Sequence, residues 1–256
     1  MKMKKFKGIV ILTNAGSSGD FISNFIKCCL LEEQPNFIDN NLLSIKSESN
    51  IATFYFPYNK NEHINNIQQI LGWNQWQEIN LSILDQQFFN YFQNDSNSIV
   101  HMHVPYYEMN FTNVKLYNKF YHILNCLNNN DIKIYYINFS SKNIAAFTYY
   151  VKANNQREHI LFKQYKKACD NKKYFDLQMN ILEIHNEQII DDLKKHGILY
   201  EEIFLDNLLL NRNYDSLYDQ INISFPLKSY LSDENKKITN ELWDDRINHL
   251  KKLGWW

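Results

Sequence analysis

The feature that most constrains the fold is an alternation of short apolar runs with longer amphipathic segments. "GIVIL", "SIVHMHVP" and "DIKIYYINF" are typical of strands, while "GDFISNFIKCCLL" and "NVKLYNKFYHILNCLNNN" carry apolar residues at helical spacing. Strands that alternate with helices form parallel sheets, because each crossover needs a helix-length connection. We therefore expect an α/β fold of three layers, with a mostly parallel central sheet and helices on both faces.

The remaining segments extend this pattern without a visible boundary. "NIATFYFP" predicts a further strand, and "NEHINNIQQILGW", "SILDQQFFNYF" and "KNIAAFTYYVKA" predict helices. Residues 157–196 are expected to be largely helical, "GILYEEIFL" is a candidate last strand, and the chain closes with two predicted helices. We expect one domain, 1–256, with a helical C-terminal part. The terminal "LGWW" is expected to pack either on the sheet or on a second copy in a homo-oligomer.

Composition narrows the classes of partner. Hydrophobic residues make up 45% of the chain and aromatic residues 15%, which is enough for a core without disulfides or metals. A net charge of -1 argues against a broad nucleic-acid or membrane footprint. No window approaches the roughly 20 apolar residues of a membrane span. The basic start lacks a signal-peptide cleavage region, and the four cysteines lack CxxC spacing, so a reducing, cytoplasmic setting is expected.

The loop in "LTNAGSSGDFISNF" is a candidate anion site. Gly16, Ser17, Ser18 and Gly19 join a predicted strand to a predicted helix, where backbone N–H groups and hydroxyls can point at a phosphate or sulfate. A tight turn with Asp20 capping the helix explains the same residues. The Walker pattern is not met, and a nucleophile elbow with small-x-Ser-x-Gly spacing is a third interpretation.

A second candidate stretch, "HMHVP", carries two histidines near the carboxyl end of a predicted strand. His101 and His103 are two residues apart, so both rings should project from one face, near the glycine loop. An imidazole there suits general-base catalysis, because it titrates near neutrality. The alternatives are a hydrogen-bonded histidine at a strand end and a metal site with Glu108 or His122. No acidic cluster completes the metal site, so no metal is expected.

At this point the chain resembles the sulfotransferase family. Cytosolic members carry a KSGTTW-like loop after the first strand and a KTHLP-like motif at the end of a later one; "SSGDFI" and "HMHVP" stand in those places here. "KIYYINFSSKNIAAFTYYVKA" is similar to the family's "iYvaRnP…vavSyY" region, and "ILYEEIFLDN" to its "YEdL" segment. The resemblance spans roughly residues 6–225 in order, and only the "HMHVP" motif is specific.

The resemblance implies a P-loop, sulfotransferase-like fold and a sulfuryl transfer from 3′-phosphoadenylyl sulfate to a small-molecule hydroxyl acceptor. His103 would be the catalytic base, and His101 would stand in for the motif's lysine. Thr148 falls on the family's phosphate-binding serine, and Asn138 or Ser140 on its arginine. The implied donor-binding set is Gly16, Ser17, Ser18, Gly19, Asp20, Asn138, Ser140 and Thr148.

The departures from the family favour a second hypothesis. Ser17 replaces the loop lysine, the phosphate-binding arginine is absent, and no RKGxxGDWK-like segment precedes the terminal helices. Each lost charge-assisted contact costs about 1.5–3 kcal/mol, although Lys142, Lys152 and Arg157 could compensate. The alternative is a non-catalytic or repurposed binding protein on the same scaffold. A phosphoryl-transfer enzyme is a lesser rival, because no Walker residues are present.

Overall fold

The computed structural model describes residues 6–14, 19–31, 36–37, 45–46, 52–54, 98–104, 114–154 and 166–256. The strands are β1 (Gly8–Thr13), β2 (Asn36–Phe37), β3 (Ile45–Lys46), β4 (Ala52–Phe54), β5 (Ser98–His103), β6 (Ile132–Asn138) and β7 (Glu201–Phe204). The helices are α1 (Gly19–Leu31), α2 (Val114–Asn129), α3 (Lys142–Asn154), α4 (Lys172–Lys195), α5 (Leu205–Leu209), α6 (Tyr214–Ser224) and α7 (Asp233–Lys252). None of these helices combines the length and apolarity needed to cross a membrane.

Five strands form one parallel sheet in the order β4-β5-β1-β6-β7, and β2 pairs with β3 in a separate antiparallel ribbon. This confirms the expected α/β fold, and the strands predicted in "NIATFYFP", "SIVHMHVP", "DIKIYYINF" and "GILYEEIFL" are all present. The helices predicted in "NEHINNIQQILGW" and "SILDQQFFNYF" lie outside the described residues. The central strand β1 consists of six consecutive buried residues, as expected for a strand covered on both faces.

Each face of the sheet has its own layer of helices. Along β1, Ile9 and Ile11 belong to one buried cluster, and Val10 and Leu12 belong to the other, because successive side chains point to opposite faces. We call the first the α1 face, since the buried residues of α1 and α3 pack there. The second is the α2 face, which is covered by the buried residues of α2. Helices therefore cover both faces, as the sequence predicts.

Helix α4 packs on both faces of the sheet. Phe175, Met179 and Leu182 in its first half belong to the α1-face cluster, whereas Ile189 and Leu193 in its second half belong to the α2-face cluster. A straight helix of 24 residues is long enough for this, at 1.5 Å per residue. The middle of α4 therefore crosses one edge of the sheet.

Two glycines end the long helices and redirect the chain. Gly197 and Gly254 have φ of +67° and +69°, a left-handed conformation that glycine adopts without steric cost. After Gly254, Trp255 donates its backbone N–H to the Leu250 carbonyl, and its ring stacks on Phe175 with centroids 4.1 Å apart. Trp255 therefore packs on helix α4 of its own chain, and packing of "LGWW" on a second copy stays a prediction.

We expect Trp243→Ala to lower the free energy of unfolding by about 3–5 kcal/mol, because it deletes a large buried ring. Trp243 has no exposed surface, and its ring contacts Phe21 and Tyr214 at centroid distances of 4.9 and 5.9 Å. Leu199→Ala, at a side chain that is 77% exposed, is the matched control and should change stability by less than about 0.5 kcal/mol. Urea titration measures both. Equal losses in the two variants would contradict this packing.

Candidate functional site

After the neighbouring strands β1 and β5, the chain continues on opposite faces of the sheet. β1 leads to α1 on the α1 face, whereas the neighbouring β5 leads to α2 on the α2 face. In open parallel sheets, ligands bind in the crevice beyond the carboxyl ends of two such strands. The register pairs Thr13, the last residue of β1, with His103, the last residue of β5. The sheet therefore brings the starts of the two candidate motifs side by side.

Part of the glycine loop lies outside the described residues. Gly16, Ser17 and Ser18 are in that part, while Gly19 and Asp20 are the first two residues of α1. The backbone of His103 is described as the end of β5, but its imidazole and the side chain of Asp20 are not among the described groups. The strand–loop–helix context predicted for the glycine motif is thus confirmed at both of its ends.

His101 is buried under the α1 face and contacts β1. Its Nε2 lies 2.6 Å from the Oγ1 atom of Thr13, and both side chains are at most 2% exposed. The contact is diagonal, since the residue opposite His101 in the ladder is Ile11. A hydrogen bond of this length between two buried groups holds the imidazole in one orientation. His101 thereby fixes the end of β1 one residue before Asn14.

A second polar cluster, the amide–phenol network, lies at the same edge of the sheet on the α2 face. Asn14 Nδ2 donates to the Tyr136 hydroxyl at 3.0 Å, and that hydroxyl donates to Asn186 Oδ1 at 2.5 Å. Asn186 Nδ2 donates to Asn138 Oδ1, and Asn138 Nδ2 donates to Glu202 Oε2, each at 2.5 Å. All four hydrogen bonds run in one direction towards a carboxylate, so each polarises the next. The network joins β1, β6, β7 and the middle of α4.

Burial keeps the Tyr136 phenol in its neutral form. Desolvation raises the pKa of Tyr136 far above its usual range, and the nearby Glu202 and Tyr200 raise it further. The hydrogen bond with Asn14 lowers the pKa of Tyr136; its effect is smaller than that of desolvation but larger than those of Glu202 and Tyr200. A neutral phenol is what the network requires, because the hydroxyl must donate a proton to Asn186.

The residues predicted to hold the donor's 3′-phosphate lie beside carboxylates or in the core. Asn138 donates to Glu202, as described above, and the backbone N–H of Ser140 donates to Asp206 Oδ2 at 2.9 Å. The Ser140 hydroxyl donates to the other oxygen of Asp206 at 3.2 Å. Thr148 lies in α3 with no exposed surface, and its hydroxyl has no hydrogen-bond partner among the described residues. The structure therefore does not bring these three residues together at one accessible surface.

The sequence analysis does not identify two residues of the network, Asn14 and Asn186, and the reasons differ. Asn14 directly precedes the glycine loop, and a polar residue at the end of a buried strand is a signal that could have found it. Asn186 lies 172 residues further along the chain. Its position in an amphipathic helix resembles that of any partly polar helix residue, so no local pattern distinguishes it. Only the path of α4 across the sheet edge brings it to Asn14.

The metal interpretation gains no third ligand in the described part of the chain, where His, Cys, Asp and Glu form no group of three or more. Glu108, one of the two ligands considered, lies outside the described residues, and His122 contacts Cys126 on α2.

Comparisons of the chain with protein-family models, curated proteins and solved structures gave no match. The candidate site is therefore argued from its own geometry.

We expect Asn186→Ala to destabilise the protein by about 2–3 kcal/mol, because it removes the buried acceptor of the Tyr136 hydroxyl and the amide that donates to Asn138. Asn180→Ala is the matched control, since Asn180 is exposed on the same helix and should cost less than about 0.5 kcal/mol. Denaturant unfolding compares the two. A loss in Asn186→Ala no greater than in the control would show that the network contributes nothing to stability.

We also expect stability to fall above about pH 10, the ordinary pKa of tyrosine. Burial raises the pKa of Tyr135, Tyr136 and Tyr214, so the native state retains protons that the unfolded chain releases. These three groups add no pH dependence well below pH 10, and above it each lowers the free energy of unfolding by about 1.4 kcal/mol per pH unit. Tyr136→Phe should reduce the alkaline slope by about one such step. An unchanged slope in denaturant titrations between pH 10 and 11.5 would contradict this.

Proposed function

We propose that the chain is a sulfotransferase-like enzyme, which transfers a sulfuryl group from 3′-phosphoadenylyl sulfate to the hydroxyl of a small molecule. The observation that carries the proposal is the pairing of Thr13 with His103 at the topological switch point. This pairing puts the start of the glycine loop next to the histidine that the family resemblance assigns as the base.

The sulfate end of the donor would bind between β1 and α1. Four residues, 15–18, separate Asn14 from the start of α1 at Gly19, and the first backbone N–H groups of a 13-residue helix have no partner within the helix. These N–H groups and the helix dipole favour an anion. Because the loop carries serines in place of a lysine, the backbone would supply most of the binding.

In the proposed reaction, His103 accepts the proton of the acceptor hydroxyl as its oxygen attacks sulfur. A new S–O bond forms, the bond between sulfur and the bridging oxygen breaks, and adenosine 3′,5′-bisphosphate leaves with the electron pair. His101 would act mainly by holding Thr13 and the end of β1, since its Nε2 contacts that hydroxyl.

A specific observation favours the alternative, a binding protein that uses this scaffold without sulfuryl transfer. Glu202 and Asp206 accept hydrogen bonds from Asn138 and Ser140, the two residues assigned to the donor's 3′-phosphate. A phosphate at those residues would approach two carboxylates, which repel it. On this alternative the crevice takes a ligand of lower charge, and Lys142 at the start of α3 is too exposed to offset both carboxylates.

Thermal shift with adenosine 3′,5′-bisphosphate separates the two functions. If the chain binds the donor's nucleotide, ligand at 100 times its Kd should stabilise the protein by about 2.7 kcal/mol. No shift at millimolar nucleotide would favour the binding protein. Asp206→Asn sharpens the test, because removing one carboxylate should tighten nucleotide binding if the 3′-phosphate lies near Ser140. Unchanged affinity in that variant would place the phosphate elsewhere.

His103→Ala tests the base. We expect this variant to keep the nucleotide-induced shift and to lose turnover by about 10²–10⁴-fold, the usual contribution of a general base. His249→Ala is the control, because His249 stacks on Tyr150 near the end of α7 and has no part in the proposed reaction. Sulfuryl transfer from labelled donor to a panel of hydroxyl compounds measures both. Turnover retained in His103→Ala would remove His103 from the mechanism.

A further inference from the structure

The cysteines of the described residues differ in their surroundings. Cys29 is buried in the α1-face cluster with 1% of its surface exposed, whereas Cys126 on α2 and Cys169 before α4 are half-buried. All three are thiols rather than disulfide partners. Accessibility therefore allows chemistry at Cys126 and Cys169 but disfavours it at Cys29.

Cys126 has an imidazole in contact with its sulfur. His122 lies one turn earlier on α2, and its Nε2 is 3.6 Å from the Cys126 Sγ atom. Residues at i and i+4 share a helix face, so the contact follows directly from the sequence spacing. The residues of α2 that belong to the buried α2-face cluster are Phe120, Tyr121, Ile123, Leu124 and Leu127. Cys126 and His122 therefore lie on the outer side of the helix.

We propose that Cys126 is a reactive thiol, activated by His122, and that it undergoes reversible S-thiolation by low-molecular-weight disulfides. His122 Nε2 accepts the Sγ proton, and the resulting thiolate attacks one sulfur of the disulfide. The S–S bond of the reagent breaks, a new S–S bond forms at Cys126, and the second half of the reagent leaves as a thiolate. The disulfide is both co-reactant and oxidant, so the step needs no other redox partner.

The position of Cys126 in α2 makes the imidazole necessary. Cys126 is three residues from the end of the helix at Asn129, where the helix dipole is negative and disfavours a thiolate. His122 Nε2 is in contact with the sulfur and is the group that would accept its proton.

The thiol lies away from the candidate site, at the opposite edge of the sheet. The last turns of α2 contact the segment before β7, where Asn125 donates to the His196 carbonyl and Asn128 exchanges two hydrogen bonds with Leu199. That segment leads into the amino end of β7, whereas the amide–phenol network lies at the carboxyl ends of the strands. The proposal therefore stands or falls independently of the proposed function.

The test measures thiolation of each cysteine by oxidised glutathione at pH 7, followed by peptide mass spectrometry. We expect Cys126 to react first, and Cys169, also half-buried, to serve as the internal comparison. His122→Gln should slow the reaction of Cys126 by about tenfold, because the thiolate fraction falls, and should leave Cys169 unchanged. Cys126→Ser should abolish the fast phase, whereas Cys169→Ser should keep it.

Two further measurements keep the outcome interpretable. Circular dichroism of His122→Gln and His122→Asn shows whether α2 remains folded in each variant. Both substitutions remove the imidazole but leave side chains of different length, so slower reaction in both folded variants is due to the lost imidazole. Dithiothreitol should restore the unmodified mass, as expected for a mixed disulfide. The proposal is overturned if Cys126 reacts no faster than Cys169, or if folded His122→Gln and His122→Asn react at the wild-type rate.

Discussion

The pairing of β1 with β5 on one side and β6 on the other is the constraint on which the rest of the structure depends. Both ladders are parallel and in register along the strand, so the carboxyl ends of all three strands meet at one edge. Because β5 and β6 pair with its two sides, the backbone of β1 has strand partners on both sides, and because helices cover both faces, its six residues are buried in two cores. The polar groups at its end, Thr13 and Asn14, are thereby delivered to opposite faces of the same edge.

These two residues anchor the loop that follows them from both sides. Thr13 contacts His101 under α1, and Asn14 starts the amide–phenol network that reaches Glu202. A buried polar network of this kind contributes little when complete and costs much when one member is removed, because the partners of the missing group are left desolvated. The position at which α4 crosses the sheet edge is therefore fixed by the hydrogen bonds of Asn186 as well as by apolar packing.

The same geometry explains why the two candidate functions differ by electrostatics rather than by shape. The proposed anion site follows β1, whereas Glu202 in β7 and Asp206 in α5 bring two carboxylates to the neighbouring end of β6. A ligand with one anionic end fits this pattern more easily than one with two. The proposed reactive thiol at the other edge shares no residue with either function, so modification there would act on α2 and not on the crevice.

The sequence by itself determined the elements: the apolar run before the glycine loop, "HMHVP" and "IKIYYIN" became parallel strands because hydrophobic periodicity is a local property. It also predicted that the glycine loop and the histidine motif would share one edge. Only the tertiary structure decided that Asn138 would bond Asn186 and Glu202, that His101 would contact Thr13, and that Thr148 would be buried. These outcomes depend on which strands become neighbours and on where α4 crosses the sheet edge. Such long-range contacts cannot be predicted from the residues beside each motif.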